Sequence, residues 1–243
     1  MGALRLFEGG AGAFVLPAKN EAMKPEKPLG QKAYGSIPHL IGSKVGEGDH
    51  TVPRGQHDIC TVKTRDKHDV IIVQEKFDGS NVAVAKINRQ IIALTRPGYL
   101  AETSPHEMHH IFAKWVKECQ SSFYYLLEEG ERLCGELMLQ AHGAKYRIDE
   151  NNPVIWFDLM RGMERETHGV LCERTEGMGL YFPRTLWKGG ALPIEDAFMF
   201  TMKHPELFPF RCLEQPEGVV YRVERKGKVD FLAKWVRPDF ETG

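Results

Sequence analysis

The sequence predicts an α+β fold, and three observations carry that prediction. A strand-rich block of β-branched runs occupies residues 70 to 95, an amphipathic helix with a clear start signal follows near residue 104, and the chain closes on an antiparallel hairpin between Gly218 and Val236. With 243 residues and 42% hydrophobic composition, the chain suits one large domain or two small lobes with a real core.

Composition narrows the function classes. The net charge of -1 gives no global basic field, so any nucleic-acid binding must use a local patch. The five cysteines, Cys60, Cys119, Cys134, Cys172 and Cys212, are odd in number, widely spread and form no CxxC pair, which points away from a zinc site or a disulfide framework and toward a reducing, cytoplasmic compartment. No apolar run approaches the length of a membrane span, and the N-terminus lacks the pattern of a signal peptide.

In chain order, residues 1–30 read as a flexible N-terminal tail: Gly9-Gly10-Ala11-Gly12, a short apolar patch, then Lys24-Pro25-Glu26-Lys27-Pro28. Met23 is a candidate second start. The glycine-rich stretch from Tyr34 to His50 has no periodicity and reads as ordered loop, open to close backbone approach by a phosphate but without a dinucleotide or Walker fingerprint. Val70 to Val73, Val82 to Ile87 and Gln90 to Thr95 are strands, the last ending at Arg96-Pro97-Gly98. Ser104 as N-cap, Pro105 at N1 and Glu107 at N3 form a capping box for a helix running to Cys119 or on to Leu127. His106, His109 and His110 on that helix read as a solvated face rather than a metal site. Arg132 to Met138 and Pro153 to Leu159 are apolar strands, each carrying one acid, Glu136 and Asp158. Because a buried carboxylate is costly unless paired or solvated, one such acid suggests a structural ion pair and two begin to suggest a cleft. A short strand is expected around Leu180-Tyr181-Phe182, then a helix from Pro193, with Glu195 and Asp196 in its first turn, ending before Pro205. The closing hairpin gathers Arg222, Arg225, Lys226, Lys228, Lys234 and Arg237, the one local patch suited to phosphates, although Lys226 and Lys228 are ordinary solvated tip residues.

The stretch that organises the rest is Glu75-Lys76-Phe77-Asp78-Gly79-Ser80-Asn81. On its own it reads most simply as a surface lysine in a hairpin turn, because Asp-Gly is a common hairpin signal. The other reading is a nucleophilic amine at a strand end. Lys76, Asp78, Arg96, Glu136, Phe157, Glu217 and Lys234 each sit at or near the end of an apolar strand, which favours the second reading.

In order and local setting, these segments resemble the motifs of the covalent nucleotidyltransferase superfamily, which contains polynucleotide ligases and mRNA capping enzymes. Lys76-Phe77-Asp78-Gly79 resembles the nucleophile motif, Gly135-Glu136-Leu137 the third motif, Trp156-Phe157-Asp158-Leu159 the aromatic strand that stacks on the base, Glu217-Gly218-Val219-Val220 the fourth motif and Ala233-Lys234-Trp235-Val236 the fifth. Asn81 resembles the RNA ligase version of the first motif, and Tyr34-Gly35-Ser36-Ile37-Pro38-His39-Leu40 is similar to the N-terminal stretch of RNA ligase-type domains. The resemblance spans roughly Tyr34 to Phe240. It implies an antiparallel-sheet nucleotidyltransferase domain with packed helices, an ATP-grasp-like ligase core, over residues 31–243. As a departure from the family, the sequence ends at Gly243, just after the fifth motif, so the C-terminal oligonucleotide-binding domain that many relatives carry is not expected.

The implied activity is that of an ATP-dependent RNA ligase: a covalent Lys76-AMP forms, AMP passes to a 5′-phosphate end, and a 3′-hydroxyl displaces it. Lys76, Asp78, Asn81 and Lys234 are assigned to catalysis. Glu75, Lys76, Arg96, Glu136, Phe157, Glu217 and Lys234 are assigned to the nucleotide, with Trp156 taking the place of Phe157 if the strand register shifts by one. Glu217 and Asn81 are candidates for holding Mg²⁺, with Mn²⁺ as a substitute. To attack, the amine must be neutral; burial with neighbouring positive charge from Lys234, Arg96 or a metal is expected to lower its pKa, while nearby acids oppose that and are expected to be occupied by metal or ribose. Partners are RNA ends or a nicked duplex, with an accessory protein or the N-terminal segment aiding substrate capture and no membrane involved. One departure stands out: the fifth motif usually offers two lysines separated by one residue, and Leu232 occupies the earlier place, leaving Lys234 alone or aided by Lys228 or Arg237. Competing readings are a ligase for nicked DNA or RNA/DNA duplexes, a capping-type guanylyltransferase, and a nucleic-acid end-binding protein of weakened catalysis.

Overall fold

The computed structural model describes residues 27–140, 143–203 and 210–241. The expectations for the tail up to residue 26, including Met23, and for Pro205 lie outside the described residues. Strand and helix order is α1 (Arg54–Thr61), β1 (Asp69–Lys76), β2 (Ser80–Ile87), β3 (Gln90–Thr95), α2 (Glu107–Glu118), α3 (Gln120–Leu126), β4 (Glu131–Leu137), β5 (Tyr146–Arg147), β6 (Val154–Arg161), β7 (Glu164–Arg165), α4 (His168–Thr175), β8 (Thr185–Gly189), α5 (Ile194–Thr201), β9 (Arg211–Cys212), β10 (Gly218–Arg225) and β11 (Lys228–Val236).

Every strand pair is antiparallel. Two sheets dominate, ordered β11-β10-β1-β8 and β3-β2-β4-β6-β7, beside a small β5-β9 ladder. Period-2 alternation divides each strand between two faces. In the first sheet Ile71, Val73, Val219, Tyr221, Val223 and Ala233 face a core shared with Cys60 of α1 and Ala197 of α5. In the second, Val82, Val84, Leu133, Val154 and Trp156 face a core shared with Phe112 and Val116 of α2, Phe123 of α3 and Leu171 of α4. Each sheet is thus backed by its own helices, and the opposite faces are free to meet each other. Among the described residues no helix is long and apolar enough to cross a membrane.

The hairpin reading of the Lys76 stretch is overturned here. β1 pairs with β10 and β8, whereas β2 pairs with β3 and β4, so Phe77-Asp78-Gly79 carries the chain from one sheet to the other. Gly79 is required by closeness rather than by a turn: a Cβ there would collide with the carbonyl oxygen of Leu137.

Two local expectations also change, and a third, the end of the helix at Cys119, is met in the shorter of its two forms. Ser104 is not the cap of α2. Its hydroxyl accepts from His106 N–H at 3.2 Å and pairs with His109 Nδ1 at 2.6 Å, a local side-chain turn that follows a short 3₁₀ segment, so the helix opens at Glu107 with His106 before it. The helix is broken at Cys119 into α2 and α3. Tyr181 makes only an isolated bridge to Ile155, and the strand of that region is β8, on the edge of the first sheet.

The basic patch is largely neutralised. Arg222 is buried and paired with Asp158, Arg225 binds Asp66 and Asp69, Lys234 meets Asp49 and Arg237 meets Asp239, leaving Lys226 and Lys228 exposed at the tip. Asp158, fully buried, is the structural acid of the two flagged in apolar strands. It accepts from Tyr34 Oη at 2.5 Å and Arg165 Nε at 3.0 Å as well as from Arg222, tying the N-terminal loop and both sheets together. Removing one partner of such a buried cluster strands uncompensated charge, so Asp158→Ala is expected to lower the unfolding free energy by about 3–5 kcal/mol. Urea denaturation would measure it, and a loss below about 1 kcal/mol would remove Asp158 as the tie.

Candidate functional site

The inner faces of the two sheets enclose a cavity. The first sheet contributes Gln74, Lys76, Val220, Arg222, Leu232 and Lys234, the second contributes Asn81, Glu136, Ile155, Phe157 and Asp158, and Tyr34, Gly35, Ile37, Arg96 and Pro183 close its rim. Strands supply this geometry because Gln74 and Lys76, or Leu232 and Lys234, are two residues apart and so share a face.

Lys76 ends β1, with its side chain 20% exposed and its Nζ 2.5 Å from Glu217 Oε2. Glu217 reaches it because the β1–β10 register sets Lys76 opposite Gly218, the next residue. A Cβ on Gly218 would collide with the carbonyl oxygen of Trp235, so only glycine lets β10 start flush against β11. Burial pulls the Lys76 amine down, but the carboxylates of Glu217, Glu136 and Asp78 outweigh it and hold the amine above its ordinary value. This is the opposition expected of the nearby acids: with its carboxylates bare, the lysine is a charged ion-pair partner.

Glu136 lies opposite Asn81 in the β2–β4 ladder and accepts from Gly79 N–H at 3.1 Å. Burial, with Glu217 and Asp78 adding to it, pushes its pKa up to about 7 against the pull of Lys76 and the Gly79 N–H. The Oδ1 of Asn81 is buried without a hydrogen-bond partner, an acceptor on the cavity wall ready for a donor or a cation. Phe157 faces the cavity and meets Tyr34 edge-on, ring centroids 5.1 Å apart. Trp156, fully buried, points the other way and packs against Trp115 and Phe123. Of the two rings, Phe157 is therefore the one that lines the cavity.

Arg96 is exposed at the rim, its guanidinium donating to Ser36 Oγ at 2.9 Å. The Asp78 carboxylate accepts from Gly143 N–H at 2.7 Å, and Asp78 N–H donates to Tyr146 Oη at 3.2 Å, so Asp78 braces the crossover from outside the cavity lining. Glu75 borders the cavity, but its carboxylate shares the outward face with Ile71 and Val73 and pairs with Arg184 at 3.0 Å. Arg184 in turn donates to the carbonyls of Thr201 and Lys203 at the end of α5, so Glu75 anchors a helix behind the site. Lys234 pairs with Asp49 at 3.3 Å. Lys228 and Arg237 do not line the cavity, and Leu232 is part of its wall.

Sequence reasoning missed Gln74, Tyr146, Arg184, and the pair His39 and Asp49. The signal for Gln74 was available, since it shares the period-2 face of Lys76. The partners in the Tyr34–His50 loop left only their place in a glycine-rich segment.

The elevated Glu136 pKa makes a stability prediction. The folded protein disfavours the charged carboxylate, so stability should fall as pH rises from the ordinary value of 4.5 through about 7. Glu136→Gln should therefore gain about 3 kcal/mol over the parent at pH 8 relative to pH 4. Urea unfolding at both pH values would check it; identical pH dependence in the two proteins would mean Glu136 is not held in its neutral form.

The family model described as RNA ligase matches residues 69–236. Among solved structures, a Naegleria gruberi RNA ligase with PPi has a TM-score of 0.50 at 17% identity, covering 70% of this chain and 50% of that one. A mutant Naegleria gruberi RNA ligase with ATP and Mn has a TM-score of 0.50 at 17% identity, covering 88% and 62%. An archaeal ATP-dependent RNA ligase scores 0.48 at 18% identity, covering 84% and 48%. The chain therefore spans about half the length of the first of these structures and of the archaeal one. A search of curated proteins found no match. The α+β architecture is that of the nucleotidyltransferase type, and with the family model covering 69–236 the chain belongs to the RNA ligase family.

Proposed function

We propose that this chain is the nucleotidyltransferase unit of an ATP-dependent RNA ligase, with Lys76 as the residue that becomes adenylylated. The single observation that carries this reading is Lys76 lining a cavity between the two sheets, its Nζ 2.5 Å from Glu217, with Phe157 in the same lining. A structural lysine pair would not need an inward aromatic face and an orphaned amide oxygen beside it.

The nucleotide base would stack on Phe157. The ribose hydroxyls would meet Glu136, whose half-neutral carboxyl can donate as well as accept, and Arg96 at the rim would help orient the sugar and phosphates. The phosphates would lie toward Lys234 and Lys76. Attack needs the Lys76 amine without its extra proton, and its carboxylate neighbours hold that proton in place. Glu217 and Asn81 fit a Mg²⁺ or Mn²⁺ ion, since one carboxylate and one unpartnered amide oxygen, completed by phosphate and water, form the oxygen-rich set such ions take. That ion, when bound, would stabilise charge on the nonbridging phosphate oxygens and weaken the hold of Glu217 on Lys76.

The Nζ lone pair then forms a bond to the α-phosphorus, the bond to the bridging oxygen breaks and pyrophosphate leaves with that electron pair. A 5′-phosphate oxygen next attacks the same phosphorus and releases the amine, and a 3′-hydroxyl displaces AMP to close the phosphodiester. Mixed RNA/DNA or DNA nicks are alternative substrates for the same chemistry. The buried Leu232 in the usual lysine position supports a second reading, an end-binding protein with weakened transfer.

One experiment separates these readings. With radiolabelled ATP and Mg²⁺, the protein should carry label through a denaturing gel, and Lys76→Ala and Glu217→Ala should carry none. Absence of label in the parent with ATP or GTP would sink the transfer mechanism and leave end-binding. Phe157→Ala should weaken nucleotide binding by about 1–3 kcal/mol with little change in melting temperature; an unchanged ATP dependence would take Phe157 out of the base site.

A further inference from the structure

The loop from Pro38 to Asp49 is laid along β11 around Lys234. Lys234 N–H donates to the carbonyl of Pro38 at 2.9 Å, Leu40 N–H donates to the carbonyl of Lys234 at 2.7 Å, and Lys44 N–H donates to that of Val236 at 3.0 Å. Inside this clamp lies His39, 2% exposed, with both ring nitrogens engaged: Nδ1 with Ser43 Oγ at 2.7 Å and Nε2 with Asp49 Oδ2 at 2.9 Å. Val236 N–H donates to Ser43 Oγ at 2.9 Å, and the serine proton has two acceptors in reach, the Lys44 carbonyl at 3.4 Å and the closer Nδ1 at 2.7 Å, which it favours. A neutral imidazole protonated at Nε2 then donates to Asp49, and the same carboxylate oxygen accepts from Lys234 Nζ at 3.3 Å.

We propose that Asp49, held by His39, is a positioning residue that fixes the Lys234 ammonium at the cavity wall for the nucleotide triphosphate. The proposal rests on the reading that Lys234 meets the phosphates. Lysine is a point charge on a flexible four-carbon stem, and here no second lysine shares its task, because Leu232 fills the neighbouring place. One of its three protons goes to Asp49, leaving two for phosphate oxygens. Asp49 also counters the forces that disfavour the ammonium: burial, then the nearby Lys76, pull Lys234 down, while Asp49 and Glu217 support its charge. His39, kept neutral by burial, holds the carboxylate without competing for it as a second cation. The device makes up for a missing lysine by immobilising the one that remains.

The test uses the whole chain and the variants Asp49→Ala, Asp49→Glu, Lys234→Ala and Asp49→Ala with Lys234→Ala. Single-turnover labelling of Lys76 by ATP should slow by about tenfold or more in Asp49→Ala, as expected for a misplaced charge, with half-saturating ATP changed by less than about threefold. Asp49→Glu should restore much of the rate. In the Lys234→Ala background the loss of Asp49 should add less than about twofold, because the two residues act as one unit. A full additional loss in that background would overturn the proposal, as would labelling of Asp49→Ala at the parent rate. A readout independent of transfer is brief acetylation with acetic anhydride, followed by mass spectrometry of Lys234. Removing the carboxylate should raise its modification by about fivefold, and an unchanged extent overturns the contact. If the parent takes no label, the transfer reading fails by itself, and the acetylation ratio decides the Asp49–Lys234 pair.

Discussion

A buried ammonium needs a counter-charge, and in this fold that need ties the architecture to the chemistry. Lys76 and Glu217 are brought to 2.5 Å by the pairing of β1 with β10, flush packing at Gly218 and the position of both strands inside a sheet rather than at its edge. The contact keeps the amine protonated and unreactive. Anything that engages the Glu217 carboxylate therefore lowers the affinity of Lys76 for its proton, so the occupancy of Glu217 and the charge on Lys76 are linked through one oxygen atom. A lysine left free in a cleft of this kind would be open to any electrophile that entered.

The two acids inside apolar strands show how differently one sequence signal can resolve. Asp158 is enclosed by Tyr34, Arg165 and Arg222 and holds the sheets together. Glu136 has one backbone N–H and a distant share of Lys76, and keeps much of the cost of burial as a raised pKa. Satisfied charge becomes structure; partly satisfied charge stays open to the cavity. The same division separates Glu75, bound to Arg184 on the outer face, from Lys76 on the inner one.

Much of the site was legible because its residues sit in short segments whose local pattern survives in the sequence: Lys76, Asn81, Glu136, Phe157 and Lys234 line one cavity as the motif order implied. The period-2 pattern that placed Lys76 and Phe157 on strands could not say which strands would pair, so a sheet-to-sheet crossover looked like a hairpin. The basic residues of β10 and β11 looked like a phosphate patch because their acidic partners, Asp66, Asp69, Asp49 and Asp158, are remote in sequence. The His39–Asp49 hold on Lys234 was hidden for the same reason, in a loop with no periodicity. Local chemistry was readable, and long-range pairing was not.

The crossover at Phe77-Asp78-Gly79 has a consequence for the order in which the protein can assemble. The second sheet, from β2 to β7, comes from one continuous stretch, so its ladders close short loops. The first sheet receives β1 from before that stretch and β8, β10 and β11 from after it. Lys76 and Glu217, 141 residues apart, meet only when β10 pairs with β1 across that whole stretch. Loop-closure entropy makes that long-range step the costly one. A nascent chain can thus hold a complete second sheet while Lys76 still lacks its partner, and the cavity between the sheets comes into being only as β10 and β11 dock.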